Sequence, residues 1–178
     1  QDTTLSRFTP LFEAQKRAGA IFATFDGWEL PQSFGNPLQE YWAAREGLAI
    51  ADRSSSGRLR ITGKDALDLL NRLSSNKLID LAPGQGASTV LTTNKGRVLD
   101  LLVVAAMDDH LLVITSPQNR SKVAEWIDMY TFIEEVLVED VTPNTVMLGV
   151  MGVKTWDVLK SLTGEDLAGL SLYGCATT

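Results

Sequence analysis

Two strand-like runs, residues 87–93 and 97–107, are joined by the tripeptide Asn-Lys-Gly at 94–96. A glycine adopts the left-handed backbone conformation that closes a bulged hairpin loop, so this pattern predicts an antiparallel β-hairpin. Residues 108–110 then turn the chain into a third run, 111–115, which is rich in β-branched and apolar residues. The centre of the chain is therefore predicted to be an antiparallel meander.

The rest of the sequence alternates between helical and strand-like patterns. A short helix is predicted within 9–19, with Thr9 as its capping residue and Pro10 at the first helical position. Apolar spacing predicts four further helices: 38–48, 64–73, the segment after Pro117 and the segment around 156–162. Further strands are predicted at 58–62, 136–141, 146–150 and 171–175, and an ordered loop at 26–37. The predicted class is α+β, with mostly antiparallel sheets and packed helices, and no linker divides the chain.

Composition excludes several classes of function. The 178 residues carry a net charge of -6, which offers no basic surface for nucleic acid. The longest apolar run, 101–107, is far shorter than the roughly 20 residues that cross a bilayer, and no leader opens the sequence. We therefore expect a cytoplasmic protein with no membrane or nucleic-acid partner. One cysteine, Cys175, and one histidine, His110, argue against a disulfide scaffold and a metal cluster.

Asp100 is the residue that fits its surroundings least well, because the run 98–104 is otherwise apolar on both faces of the strand. A carboxylate in such a place is paired, protonated or open to a cavity. The alternative is a position near a solvated strand end, where an acid needs no special explanation. Asp100 is therefore the leading candidate for a functional side chain.

Other candidate residues have a structural explanation that competes with a functional one. His110 fits a surface turn, and the segment 53–58 offers hydroxyl and guanidinium groups without an adjacent base. Lys95 and Arg97 flank the hairpin glycine, where they fit either a solvated turn or a contact with an acidic tail such as a glutamate chain. Aromatic residues at helical spacing fit a core better than a planar ligand site.

Several short motifs keep one order and spacing over nearly the whole chain. They are Thr9-Pro10-Leu11, Phe25-Asp26-Gly27-Trp28 with Pro31, Glu40-Tyr41 with Arg45, Gly47, Asp52-Arg53-Ser54, Gly63-Lys64-Asp65-Ala66, and Asn94-Lys95-Gly96-Arg97-Val98-Leu99-Asp100. Together they resemble the aminomethyltransferase family, which includes the T protein of the glycine cleavage system. The resemblance implies a folate-binding fold around a tetrahydrofolate channel, with no metal. It also implies that 1–178 is the N-terminal part of that domain, and that the C-terminal remainder lies outside this sequence.

The resemblance assigns roles to particular residues. Asp100 matches the family aspartate that interacts with folate near its reacting nitrogen, which makes it the catalytic and cofactor-binding candidate. Val113 and Thr115 match positions that contact the pterin. Ser56 and Ser88 match positions at which relatives carry a methionine and often an aromatic residue, so they are further cofactor-binding candidates. The implied partners are folate, a one-carbon donor and a lipoyl carrier.

Some positions depart from the pattern of relatives that cleave glycine. Ser55, Ser56 and Leu101 stand where those relatives have histidine, methionine and a second aspartate. We therefore expect that this chain does not carry out a complete glycine cleavage step. The alternative is the YgfZ branch of the family, non-catalytic folate-binding proteins that assist iron–sulfur protein assembly, which the hairpin and the segment 130–142 also resemble. That branch is marked by a cysteine signature, Lys-Gly-Cys-x-Gly-Gln-Glu, which is absent here; Cys175 does not match it. A demethylase of the sarcosine or sulfonium type would share the fold and differ in its pocket.

Overall fold

The computed structural model describes residues 6–178, which form two compact units. The first unit comprises 6–55 and 145–168, and the second unit comprises 56–144 and 169–178. Because each unit is built from two separate segments, no single stretch of the sequence could mark a boundary between them.

The secondary structure is mixed. In chain order it runs β1 (Arg7–Phe8), α1 (Phe12–Arg17), β2 (Ile21–Phe25), β3 (Trp28–Ser33), α2 (Pro37–Glu46), β4 (Ala49–Asp52), β5 (Gly57–Thr62), α3 (Ala66–Leu73), β6 (Gly86–Thr92), β7 (Val98–Ala106), β8 (Leu111–Thr115), α4 (Arg120–Met129), β9 (Leu137–Asp140), β10 (Leu148–Met151) and α5 (Thr155–Thr163). Short 3-10 helices occupy Thr142–Asn144 and Leu167–Gly169. The predicted α+β class with mostly antiparallel sheets is confirmed.

The second unit is built on a five-stranded antiparallel sheet in the order β6-β7-β8-β5-β9. Residues alternate between its two faces, so Leu102 and Val104 of β7 lie on one face and Leu101 and Val103 on the other. The face that carries Leu102 and Val104 is the buried one. Helix α4 packs near β5, β7 and β9, and it also packs against α3. The sheet and these two helices thus enclose a single core.

Every fully buried apolar side chain of the described chain belongs to this core. The set is Leu59, Ile61, Leu69, Leu70, Leu78, Leu91, Leu102, Val104, Val113, Val123 and Ile127. Burying a side chain of this size contributes about 1.5–3 kcal/mol, so the second unit has the usual source of stability of a small domain.

The first unit has a different character. It contains a three-stranded sheet in the order β1-β3-β2, a two-stranded antiparallel pair of β4 with β10, and the helices α1, α2 and α5. Within 6–55 and 145–168, the buried residues are all polar: Thr9, Ser33, Ser54 and Ser55. None of the three helices buries a side chain fully.

The hairpin, the meander and the helices predicted for 38–48, 64–73 and 156–162 are confirmed, with ends that differ by at most two residues. The predicted loop at 26–37 is wrong, because it contains β3. Asp26 and Gly27 both have positive φ, at 50° and 78°, which is the geometry of a tight hairpin turn between β2 and β3. In the pairing of β2 with β3, Ile21 lies opposite Ser33 and the next residue, Phe22, lies opposite Pro31, so the register shifts by one residue. This β-bulge accommodates Pro31 within β3.

Two further predictions are wrong. The segment 171–175 forms a turn and not a strand: Tyr173 has φ 61° and the Gly174 amide donates to the Ser171 carbonyl at 2.8 Å. Thr9 does not cap α1, which begins two residues after Pro10. Instead, the Thr9 hydroxyl donates to Asp52 Oδ2 at 2.6 Å, so a long-range partner replaces the local one.

Candidate functional site

The Asp100 side chain lies on the core-facing side of β7, in register with Leu91 of β6. It is only 4% exposed, whereas its neighbour Leu101 is 61% exposed on the opposite face. The interpretation of Asp100 as a solvated strand residue is therefore wrong, and the carboxylate needs polar partners to remain in this position.

Those partners come from the segment between β8 and α4. The Ser116 amide donates to Asp100 Oδ2 at 2.8 Å, and the Ser116 hydroxyl donates to Oδ1 at 2.6 Å. Asn119 Nδ2 lies 3.4 Å from Oδ1 and donates to the Leu99 carbonyl at 3.1 Å. A carboxylate offers about four acceptor positions, so these donors hold Asp100 in one orientation and leave about one position for a ligand.

Thr115 ends β8 immediately before these donors, and its hydroxyl donates to the Ser116 carbonyl at 3.1 Å. It pairs across the sheet with Gly57 of β5. A Cβ on Gly57 would overlap Thr115 Oγ1 and lie 2.9 Å from Arg120 Cβ, so only glycine permits this approach of the strands. Ser56 precedes Gly57 and accepts from Arg58 Nη1 at 2.6 Å through its carbonyl.

The five residues predicted for the site therefore do not form one cluster. Asp100, Val113 and Thr115 share one face of β7 and β8, and Ser56 adjoins the strand that pairs with Thr115. Val113 is fully buried in the core. Ser88 lies on the opposite face of β6, paired with Val103.

Sequence reasoning missed the two residues that bind Asp100. Ser116 and Asn119 lie on either side of Pro117 just before α4, and such residues are typical of helix starts. This local pattern gives no sign that Ser116 contacts Asp100, which lies 16 residues earlier in β7. The signal that existed was the Ser116-Pro117 turn after β8, and in the structure this turn contacts Asp100 near the start of β7.

A second polar site lies within the first unit, around Asp52 at the end of β4. Its Oδ2 accepts from Thr9 Oγ1 at 2.6 Å and from Gln15 Nε2 at 2.7 Å, and its Oδ1 accepts from the Ser54 amide at 2.8 Å. Burial raises the pKa of Asp52, but the hydrogen bonds from Thr9, Ser54 and Gln15 together outweigh it and hold the pKa below its ordinary value. The carboxylate therefore stays charged at neutral pH.

Asp52 borders a cleft of about 550 Å³ in the first unit. The walls come from α1, α2, β4, β10 and the end of β3. The motif Asp52-Arg53-Ser54 is one of the short motifs that carry the family resemblance, but nothing in its local spacing indicates a cleft.

His110 lies in the turn after β7, where its Nδ1 is 2.6 Å from Asp109 Oδ1. This hydrogen bond lowers the pKa of Asp109, and Arg60 Nη2 donates to the same carboxylate at 2.8 Å. The interpretation of His110 as part of a surface turn agrees with this geometry. Across residues 6–178, no three His, Cys, Asp or Glu side chains are grouped closely enough to hold a metal ion. No helix in the same range has both the length and the apolar character needed to cross a bilayer.

Comparison with known proteins gives consistent matches over nearly the whole chain. The chain is 36% identical over 169 residues to an aminomethyltransferase of Shouchella clausii, which covers 94% of this chain and 45% of that protein. It is 32% identical over 166 residues to an aminomethyltransferase of Lysinibacillus sphaericus, with 93% and 45% covered. The chain thus spans less than half the length of the curated relatives it matches.

A solved structure shows the same fold. The glycine cleavage system aminomethyltransferase T of Bartonella henselae superimposes with a TM-score of 0.85 over 94% of this chain and 46% of that one, at 21% sequence identity. The family model described as the GCVT N-terminal domain matches residues 11–176. Because that match covers more than nine-tenths of the sequence, the chain belongs to the GCVT N-terminal domain family.

Proposed function

We propose that this chain is the tetrahydrofolate-binding portion of a folate-dependent one-carbon transferase that moves an aminomethyl or methyl group. The names of the curated relatives support the reaction class. The observation that carries the proposal is the buried Asp100 carboxylate, which is fixed by internal donors and retains acceptor capacity.

Tetrahydrofolate would supply the nitrogen that accepts the one-carbon unit. Asp100 would place its negative side chain beside that nitrogen, where positive charge develops during transfer. A preorganised charge in a partly dry site stabilises such a transition state without further rearrangement. Ser116 would act as a positioning residue, because its amide and hydroxyl fix both carboxylate oxygens of Asp100.

The remaining candidates would contribute in different ways. Thr115 stands next to the donors of Asp100, and its hydroxyl retains acceptor capacity toward a ligand. Val113 has no exposed surface, so its contribution would be packing beneath the site. Ser56 lies beside the Gly57–Thr115 pair and is a candidate for an outer contact. Ser88 faces the other side of the sheet, so a ligand on Asp100 would not reach it from the same side.

A second candidate function is a folate-binding assembly factor for iron–sulfur proteins that does not turn folate over. The departures at Ser55, Ser56 and Leu101 from the pattern of relatives that cleave glycine favour it, because these positions lack the polar groups that would orient an aminomethyl group in those relatives. The partner would then be an iron–sulfur protein in place of a lipoyl carrier. A cytoplasmic location remains a prediction for both candidates.

The test is a tetrahydrofolate titration of the natural protein, wild type and Asp100→Asn, with a one-carbon transfer assay alongside. The transferase function predicts that both variants bind tetrahydrofolate and that Asp100→Asn lowers the rate by about 10²-fold, as for loss of one transition-state contact. Asp108→Asn is the matched control, because Asp108 is an exposed acid in the turn at the other end of β7.

The outcomes separate the candidates. Binding with no transfer in either protein supports the assembly factor. Absence of tetrahydrofolate binding in the wild type overturns both. Equal binding and equal rates in wild type and Asp100→Asn remove Asp100 from the proposed site.

A further inference from the structure

The loop between α4 and β9 exposes two consecutive large apolar side chains. Phe132 is 80% exposed and Ile133 is 94% exposed, the highest value among the large apolar side chains of residues 6–178. Met129, at the end of α4, and Leu137, at the start of β9, are also more than half exposed. Single exposed apolar side chains are ordinary, but a run of them in one short segment marks an interaction site.

The conformation of this loop is fixed by Glu134. Its Oε2 accepts from the Phe132 amide at 2.9 Å and from the Ile133 amide at 3.1 Å, and its Oε1 accepts from Arg72 Nη2 of α3 at 2.7 Å. The hydrogen bond from Arg72, followed by those from the backbone amides, lowers the pKa of Glu134 to about 2. The side chain is therefore charged at neutral pH and ties the backbone of the exposed pair to α3.

Hydrogen bonds also hold the residues on either side of the exposed pair. The Thr131 hydroxyl donates to the Ile127 carbonyl of α4 at 2.9 Å. The Glu135 amide donates to Asp65 Oδ2 at 2.8 Å, and the Glu135 side chain pairs with Lys64. A segment that is already ordered loses little conformational entropy when it binds. Phe132 and Ile133 are therefore preorganised for contact with another molecule.

The charges around the loop are mainly negative. Lys64 and Arg72 are the cations bonded to it, and each is already paired with a loop glutamate. The carboxylates in the loop or bonded to it and its cations, together with the one at the end of α4, are Asp65, Asp68, Asp128, Glu134 and Glu135. A second copy of the chain, an anionic lipid surface or a nucleic-acid backbone would be repelled. Charge complementarity favours a basic protein surface.

We propose that the 131–135 loop is a docking element for a basic protein partner, which receives Phe132 and Ile133 in an apolar pocket. Lys or Arg side chains around that pocket would face Asp68, Asp128 and Glu135. An apolar centre with a charged rim is the usual anatomy of a protein–protein interface. The proposal concerns one surface of the second unit and does not depend on tetrahydrofolate.

Site-specific photo-cross-linking in cells that express the natural protein tests the proposal. A benzoylphenylalanine at position 132 keeps the aromatic ring, and the same residue at position 98 is the control, because Val98 is also in the second unit and is 69% exposed. Position 132 should cross-link one protein that carries more Lys and Arg than Asp and Glu, and position 98 should not.

The cross-linked protein is then purified, and its affinity for the natural protein is measured by calorimetry. Phe132→Ser combined with Ile133→Ser should weaken binding by about tenfold or more, because the pair would form the buried centre of the interface. Val98→Ser should leave the affinity unchanged. Raising the salt concentration from about 0.05 M to about 0.5 M should weaken binding of the wild type by about tenfold. All these positions are exposed, so the urea midpoints of the variants should match that of the wild type.

Glu134→Gln tests whether the fixed loop conformation matters. It keeps Phe132 and Ile133 but removes the charge that pairs with Arg72. Peptides that cover 131–135 should exchange hydrogen faster, and the affinity for the partner should fall by about threefold or more.

Four results would overturn the proposal. The first is no cross-linking from position 132 above that from position 98. The second is cross-linking to a second copy or to a later part of the same chain. The third is a partner whose affinity is insensitive to salt or to the double substitution. The fourth is binding of the wild type, but not of the double variant, to vesicles of phosphatidylcholine with or without phosphatidylserine, which would identify a lipid surface as the occupant.

Discussion

Asp100 combines two properties that rarely occur together, near-complete burial and a carboxylate. The three donors that explain this combination come from a single short segment, and two of them belong to Ser116. The Ser116 amide can only donate, but its hydroxyl can also accept. This difference decides which substitutions the position tolerates.

Asp100→Asn should leave the fold intact and lower the free energy of unfolding by about 1 kcal/mol or less. The side-chain nitrogen of the new asparagine takes the place of Asp100 Oδ1 and donates to the Ser116 hydroxyl. The side-chain oxygen takes the place of Oδ2 and still accepts from the Ser116 amide. Asp100→Ala leaves that amide buried without a partner and should cost about 1–3 kcal/mol. Urea unfolding of both variants measures the difference, and Asp108→Ala should stay within about 0.5 kcal/mol of wild type. A more stable Asp100→Ala than Asp100→Asn would contradict the assigned hydrogen bonds.

Asp52 predicts a pH dependence for the first unit. Its pKa in the folded protein lies below the ordinary value of 3.8, so its hydrogen bonds stabilise the fold above that pH. The contribution falls as the pH drops through the lowered pKa, because the protonated carboxyl accepts fewer hydrogen bonds. Asp52→Asn should therefore be less stable than wild type at neutral pH, and the gap should narrow below about pH 4. Thermal melts of wild type and Asp52→Asn from pH 7 to pH 2.5 test this prediction. If the difference in stability between the two proteins widens in acid, the pKa of Asp52 is shifted in the opposite direction.

Strands and helices with strong local signals were predictable from the sequence, and those that depend on distant partners were not. The hairpin of β6 and β7 carries its own turn residues, so its location follows from local patterns. The loop predicted at 26–37 failed because Pro31 and the neighbouring glycines obscured β3, whose proline is accommodated by a bulge. Asp100 was identifiable as a buried acid in an apolar strand, whereas Ser116 was not, because its role depends on tertiary packing.

Two turn glycines illustrate how the surroundings set the cost of a substitution. Gly63, between β5 and α3, has φ 111°, and a Cβ there would overlap the Glu135 carbonyl. Gly96, in the β6–β7 hairpin, has φ 70° and no atom within 4 Å of a built Cβ. Gly96→Ala should cost about 1–2 kcal/mol from its left-handed backbone alone, and Gly63→Ala should cost more because the clash adds to it. The urea midpoints of the two variants give both losses in free energy of unfolding, provided that the dependence on urea concentration is unchanged. Equal losses would mean that the β5–α3 turn moves away from Glu135 at no cost.

The two units differ in how they are stabilised, since the apolar core lies in the second and the first has only polar buried residues. The tryptophans distinguish them: Trp28, Trp42 and Trp156 lie in the first unit and Trp126 in the second. Trp126→Phe therefore leaves a chain whose tryptophan fluorescence reports on the first unit alone. The substitution is mild, because Trp126 Nε1 has no hydrogen-bond partner among residues 6–178.

In the isolated 178-residue chain, we expect the fluorescence of Trp126→Phe to change at a lower urea concentration than that at which the amides of β7 and β8 lose protection from hydrogen exchange. The reason is that local stability follows buried apolar contacts, and the first unit has few. Leu102→Ala, in the core of the second unit, should cost about 2–5 kcal/mol and lower the exchange transition. Leu148→Ala, at a half-exposed position of β10, should leave that transition unchanged. The contrary result is that fluorescence and hydrogen exchange change at the same urea concentration, and that Leu102→Ala lowers both midpoints equally. It would mean that the two units unfold as one cooperative structure and that the first unit draws its stability from the second.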